Sequence, residues 1–122
     1  MLNLIELMNN NFERIITISA WGASESKKEL PNWFRWLIEN SNIKYAYQDH
    51  ERQEELLIKT NLKWTIIRPV GLTNSTNSKD PIISINGKPK PNLMISRKTV
   101  ASFVSDCLKK EQFINQIPTI SE

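Results

Sequence analysis

Residues 54–72 read Glu54-Glu55-Leu56-Leu57-Ile58-Lys59-Thr60-Asn61-Leu62-Lys63-Trp64-Thr65-Ile66-Ile67-Arg68-Pro69-Val70-Gly71-Leu72. The opening residues finish a helix. Good helix formers dominate from Asp49 to Lys59, Leu56 and Leu57 mark an apolar face, and Asn61 closes it. Lys63 to Arg68 is then rich in β-branched and aromatic side chains, which predicts a strand. Pro69 lacks the N–H that a central ladder needs, so the strand is expected to stop there. Gly71, without a Cβ, lets the backbone approach a ligand closely.

Upstream, Arg14-Ile15-Ile16-Thr17-Ile18 is apolar on both alternating faces. That pattern predicts a strand covered by helices on both sides of a parallel sheet. Ser19-Ala20-Trp21-Gly22 ends it. Residues 24–42 are polar around an amphipathic centre of Trp33, Phe34, Trp36, Leu37 and Ile38, with Pro31 fitting the first turn of a short helix. Leu2 to Met8 has helical spacing, stopped by Asn9-Asn10-Asn11. Helix, strand, helices and strand in this order, with connections long enough for crossovers, is the grammar of a βαβ fold.

Downstream, Val70 to Pro91 turns to Gly, Asn, Ser, Lys and Pro. Asn86-Gly87 is a strong turn signal that predicts a small hairpin from Pro81 to Met94. Ser96 precedes a helix through Val100, Phe103, Val104 and Leu108, and Ile114 to Ile120 offers one late strand.

Composition narrows the class. The chain has 122 residues and 39% apolar content, enough for one domain with a modest core and too little for two. Cys107 is the single cysteine. It permits no intrachain disulfide, makes no zinc site by itself and falls in an apolar helical rhythm, so it reads as a buried hydrophobe in a reducing compartment. No metal centre is expected. The N-terminus has neither a basic leader nor a cleavage site, and no apolar run approaches the ~18 residues of a membrane span. A cytoplasmic protein is the expectation. Net charge is +3, with cations scattered among acids as in Lys27-Lys28-Glu29. Nucleic-acid surfaces need a clustered basic stripe, so that partner is not expected. Trp33, Trp36 and Trp64 are expected in the core or at its rim.

These segments resemble the second half of the NAD(P)H-binding atypical short-chain dehydrogenase/reductases, the group of NmrA-like proteins, NADH-flavin reductases and biliverdin IX beta reductase. Residues 54–72 resemble the group's most recognisable signature. Arg14 to Gly22 resembles its middle strand, and Ile95-Ser96-Arg97-Lys98-Thr99-Val100-Ala101 its later helix start. The resemblance implies an α/β fold with a Rossmann-like parallel sheet and flanking helices. It implies NADP or NAD as cofactor, with Ser19, Ala20, Pro69, Val70, Gly71 and Leu72 against the nicotinamide. Ser19 and His50 are the candidate catalytic residues, and Trp21 and Arg97 the candidate substrate contacts.

The departures are informative. The chain has three glycines, Gly22, Gly71 and Gly87, and no G-x-x-G-x-x-G turn to hold a pyrophosphate on a helix N-terminus. The N-terminal glycine-rich βαβ half is therefore absent, and residues 1–122 are expected to be one partial domain. Either the sequence is a fragment, or a partner chain or second copy completes the sheet. Typical members place a Tyr and a Lys one helical turn apart. Alignment puts Ala46 at the Tyr position and His50 at the Lys position. Biliverdin IX beta reductase and its flavin-reducing relatives resemble this chain at Asp49-His50. In them the protein mainly juxtaposes nicotinamide and an electrophilic acceptor, and the cofactor carries the chemistry.

Each candidate also has a plainer reading. Ser19 suits a strand-end turn, although ligand sites of α/β sheets form at that end and its hydroxyl could donate to nicotinamide or substrate. Histidine is the residue type that exchanges protons near neutrality, yet a solvated histidine near a helix start needs no function. Arg68 admits a structural role beside a helix carboxylate. Ser96 reads as an N-cap, Arg97 as reaching substrate or solvent, and Trp21 as lining an acceptor pocket or capping the core. Two functions follow: an NAD(P)H-dependent oxidoreductase, or its remnant, passing hydride to a flavin, quinone or similar small-molecule acceptor; and a non-enzymatic, NmrA-like regulatory or interaction module.

Overall fold

The computed structural model describes residues 14–76 and 79–122. The helical reading of Leu2 to Met8 lies outside them. In chain order the elements are β1 (Arg14–Ile18), a 3-10 turn (Ser24–Glu29), α1 (Asn32–Glu39), α2 (Ile43–Ile58), β2 (Lys63–Pro69) and β3 (Gly71–Thr73). They continue with β4 (Ile82–Ser84), β5 (Met94–Ser96), α3 (Arg97–Lys110) and β6 (Thr119–Ser121). The main sheet runs β1-β2-β6-β4, with β1, β2 and β6 parallel and β4 antiparallel to β6. β3 and β5 form a separate parallel pair. This is a Rossmann-like sheet with flanking helices, without the glycine-rich half.

β2 is the axis, and its sequence explains why. Every residue from Trp64 to Pro69 is buried. Ile66 packs with Ile15, Leu57, Leu62 and Trp64, which is the α2 side. Ile67 joins Ile95, Val100, Phe103, Cys107 and Ile120, which is the α3 side. A strand apolar on alternate faces is thus covered by a helix on each, and each fully buried Ile or Leu contributes about 1.5–3 kcal/mol. α3 starts where Ser96 Oγ accepts from Thr99 N at 3.1 Å, an N-cap. It ends at Glu111, which adopts a left-handed conformation. Cys107 is fully buried; burial pushes its thiol up, opposed by Arg14 and reinforced by Asp106.

Several expectations need correction. The helix expected from Asp49 begins at Ile43, and β2 runs one residue further than expected, through Pro69. Pro69 is tolerated there because its carbonyl still accepts, from Trp21 N at 3.1 Å. Pro31 is the N-cap of α1, not part of its first turn. The turn at Asn86-Gly87 forms, as the Ile85–Lys88 bridge shows, but the hairpin does not extend. β4 pairs with β6 and β5 with β3, so the 81–94 segment is divided between two sheets. The late strand spans only Thr119–Ser121. β1 is less covered than expected: it pairs only with β2 among the described residues, and Ile18 is 47% exposed. Trp64 is core, but Trp33 and Trp36 are 63% and 65% exposed, because Phe34 and Ile38 take the inward side of α1.

Among the described residues, no helix is long and apolar enough to cross a membrane.

Candidate active site

Two segments that leave the carboxyl ends of β1 and β2 build the site. After Ile18 the chain keeps to its neighbour: Ser19 N donates to Ile67 O at 2.8 Å, then Trp21 N to Pro69 O. Gly22 turns it away with φ +108°, a conformation other residues rarely adopt, and an added Cβ would stand 2.7 Å from Leu30 Cδ1. On the second strand, Val70 N donates to Ile120 O and Gly71 N to Leu93 O, so the 69–72 segment crosses from the main sheet to the small one.

Between these segments, α1, α2 and the start of α3 lies a cavity of about 540 Å³. That is within the common range for ligand pockets, and its place is where α/β sheets bind ligands. Ser19, Ala20, Trp21, His50, Pro69, Val70, Gly71, Leu72 and Arg97 all line it. The residues singled out from sequence therefore share one cavity. Sequence reasoning did not single out Pro31, Trp33, Phe34, Tyr47, Leu93 and Met94, which complete the wall. For Tyr47 a signal existed: Tyr47, His50, Glu54 and Leu57 repeat at three- and four-residue steps, one face of a helix. Once α2 extends back to Ile43, that face turns to the sheet.

Polar groups beneath the cavity are tightly engaged. Arg68 and Glu54 are both buried and meet through Arg68 Nη2 to Glu54 Oε1 at 2.6 Å and Nε to Oε2 at 3.1 Å. Glu54 also accepts from Ser19 Oγ at 2.5 Å and Ser24 Oγ at 3.1 Å. Arg68 Nη1 reaches Glu25 Oε1 at 2.6 Å. Burial works against the Arg68 charge, but the hydrogen bonds to Glu54 and Glu25 outweigh it and hold the guanidinium above its ordinary range. The structural reading of Arg68 is therefore correct.

The same geometry revises Ser19. Its hydroxyl has one proton, and that proton goes to Glu54. In this arrangement its free lone pair can accept from a ligand, but it has no proton left to donate.

Tyr47 donates to Trp21 O at 3.1 Å, and burial pushes its phenol up, so it stays a donor. Trp21 is both a core residue and a cavity wall, and its indole N–H donates to Glu29. His50 stands edge-on to Tyr47, with ring centroids 6.5 Å apart. Its Nδ1 is buried and has no hydrogen-bond partner among the described residues. A buried nitrogen without a partner is uncommon, and here it belongs to a cavity-lining side chain. Arg97 donates to Asn74 Oδ1 at 2.6 Å.

The Arg68 bond holds the Glu25 carboxyl below its ordinary 4.5, although burial opposes this. A lowered carboxyl stabilises the folded chain fully above 4.5, and the contribution is lost as pH falls through the lowered value. Glu25→Gln is therefore expected to flatten the dependence of the urea midpoint on pH below about 4.5 relative to wild type. Equal slopes would remove Glu25 from the account of acid lability.

Residues 1–111 match the model of a protein family described as NAD(P)H-binding, and the chain belongs to that family. It is a family of Rossmann-fold proteins related to the short-chain dehydrogenase/reductases. No curated protein matches the sequence. Among solved structures, the chain is similar to a short-chain dehydrogenase/reductase from Veillonella parvula in complex with NADP. That match has TM-score 0.78 and 25% identity, over 98% of this chain and 55% of the other. It is also similar in fold to the oxidoreductase ylbE from Lactococcus lactis, with TM-score 0.77 and 20% identity over 99% of this chain and 52% of that one. ChuY, an anaerobillin reductase from Escherichia coli, matches with TM-score 0.80 and 18% identity, over 97% of this chain and 54% of that one. The chain thus spans about half the length of these solved relatives.

The residues present fit one end of a dinucleotide. The cavity offers apolar walls, backbone at two strand ends, a Ser19 lone pair and the His50 side chain, which suits a nicotinamide ring. For the pyrophosphate the 122 residues contain no glycine-rich turn.

Proposed function

We propose that this chain is the nicotinamide-binding half of an NAD(P)H-dependent reductase acting on a flavin, quinone or similar conjugated small molecule. Residues 1–122 form one partial domain in this reading. The observation that carries it is the single cavity shared by both strand-end segments, His50 and Arg97. When bound, the nicotinamide supplies the hydride. The chain's residues do the rest. Ser19 and Ala20 on one side, and Pro69 to Leu72 on the other, hold the ring between two fixed strand ends. Trp21, Phe34 and Val70 exclude water. His50 moves a proton or orders the water that does. Asp49-His50, with Ala46 at the Tyr position, supports the NADH-flavin reductase and biliverdin IX beta reductase-like branch over the Tyr-dependent enzymes. The rest of the sheet belongs to a longer chain of which this is a part, to a partner chain or to a second copy.

A non-enzymatic, NmrA-like role is favoured by Ala46 and by the Ser19 proton being held by Glu54. One titration tests whether this chain is a reductase on its own. The folded 122-residue chain is expected to bind NADPH or NADH saturably, followed by cofactor fluorescence, with a solution mass above that of the monomer. A folded chain that binds neither cofactor rules out autonomous reduction and leaves either a truncated reductase or the interaction module.

A further inference from the structure

We propose that Asn86-Gly87 is a site of self-modification, at which Asn86 becomes aspartate or isoaspartate, and that the new carboxylate loosens the hold of Glu29 on Trp21. The inference does not depend on the reductase reading. Asn86-Gly87 is the one Asn-Gly pair in the chain. The Gly87 backbone nitrogen attacks Asn86 Cγ and forms a C–N bond, and the side-chain nitrogen leaves with the Gly87 N–H proton as ammonia. Water then opens the five-membered imide at either carbonyl, with no change in oxidation state. Glycine permits the attack because no side chain shields its nitrogen.

Asn86 and Gly87 hold φ of 54° and 78°, the positive values of a two-residue turn. The turn is closed by an isolated bridge, Ile85 N to Lys88 O at 3.0 Å and Lys88 N to Ile85 O at 3.1 Å. Asn86 is exposed, and among the described residues neither its amide nor the Gly87 N–H has a hydrogen-bond partner. Ring closure waits on local opening of the turn, which costs little at an exposed, isolated bridge. The consequence follows from what the turn covers. Asn86 and Gly87 line a pocket of about 220 Å³ with Glu25, Glu29 and Arg68. Glu29 Oε1 lies 3.2 Å from where a Gly87 Cβ would stand, and the same oxygen accepts from Trp21 Nε1 at 3.2 Å. Trp21 in turn walls the strand-end cavity. Arg68, the one cation lining the pocket, is already held by Glu54 and Glu25. A carboxylate at residue 86 therefore repels Glu29, and isoaspartate also lengthens the turn by one backbone atom.

The full folded chain is incubated in mildly alkaline buffer, and its tryptic peptide 80–97 is followed by mass. Trypsin leaves that peptide whole because Lys88 and Lys90 each precede proline. Asn86 is expected to gain about one dalton, and part of the product to accept a methyl group from an isoaspartyl methyltransferase. The Trp21 indole N–H resonance, identified by its loss in Trp21→Phe, is expected to move upfield and exchange faster with solvent in step with the mass change. Asn86→Asp is expected to show that shift from the start. Asn86→Gly, which tolerates the positive φ, is expected to show neither change. In a Glu29→Gln background, adding Asn86→Asp is expected to move the indole resonance less than half as far. An Asn86 that stays intact in the folded chain while the excised 80–97 peptide is modified overturns the proposal. So does modification that leaves the Trp21 resonance in place. An Asn86→Asp shift that persists undiminished with Glu29→Gln also overturns it, since Glu29 then does not carry the effect.

Discussion

Arg68→Met is expected to lower the unfolding free energy by about 3–5 kcal/mol, the usual cost of removing one partner from a buried ion pair. The Glu54 carboxylate is buried and receives four donors: Arg68 Nε and Nη2, Ser19 Oγ and Ser24 Oγ. Methionine removes two of them together with the countercharge. Glu54 would then keep its desolvation penalty without the attraction that offsets it. Domains of this size are stable by about 5–15 kcal/mol, so the variant falls near the limit of folding. Urea denaturation measures the loss, and Glu25→Ala is the comparison. Glu25 meets the same guanidinium with a side chain 57% exposed, so its removal is expected to cost less than about 1 kcal/mol. A third variant, Arg68→Met with Glu54→Leu, removes both buried charges and is expected to recover much of the loss. A loss below about 1 kcal/mol in Arg68→Met would mean that water reaches Glu54 and that the pair is not buried in solution.

This network also shows what the sequence could convey. The order of strands and helices was legible because β2 and α2 are written in local patterns: a β-branched run closed by Pro69, and helix formers closed by Asn61. Both strand-end segments were legible for the same reason, with Gly71 and the Ser19 turn as landmarks. The partners of Ser19 and Arg68 were less legible. Glu54 lies 35 and 14 residues from them, and pairing them requires the register of α2 on the sheet, which no local pattern contains. The start of α2 escaped because Asn42 makes no side-chain cap and has helical backbone angles, leaving no N-terminal signature. With that start went Tyr47. The hairpin reading failed on a different point. Asn86-Gly87 specifies a turn, but the two-residue turn does not decide which strand Ile82–Ser84 will join, and β6, nearly forty residues on, takes it. Trp33 and Trp36 were misread because bulk and apolarity favour burial only where a neighbour exists to cover them.

Gly71→Val is expected to strain the fold and the cavity together. The glycine is required by packing, since a Cβ there would stand 2.9 Å from the Leu93 carbonyl oxygen and 3.0 Å from Met94 Sδ. The sulfur sits on a flexible side chain and can move. The carbonyl cannot, because it accepts the Gly71 N–H at 3.0 Å and sets the register Gly71↔Met94 and Leu72↔Ile95. Valine adds further bulk beside that contact, so β3 must part from β5, at about 1–3 kcal/mol in urea denaturation. The displacement continues along β5 to Ser96, the N-cap of α3, and so to Arg97. If the 69–72 segment is one wall of the nicotinamide site, NADPH affinity should fall at least about tenfold, which needs a shift in binding free energy of only about 1.4 kcal/mol. Gly71→Ala, with the same first atom and less bulk, should fall between. A stability loss in Gly71→Val with unchanged NADPH affinity would detach this segment from the cofactor. It would leave the Ser19–Ala20 segment and α2 to hold the ring alone.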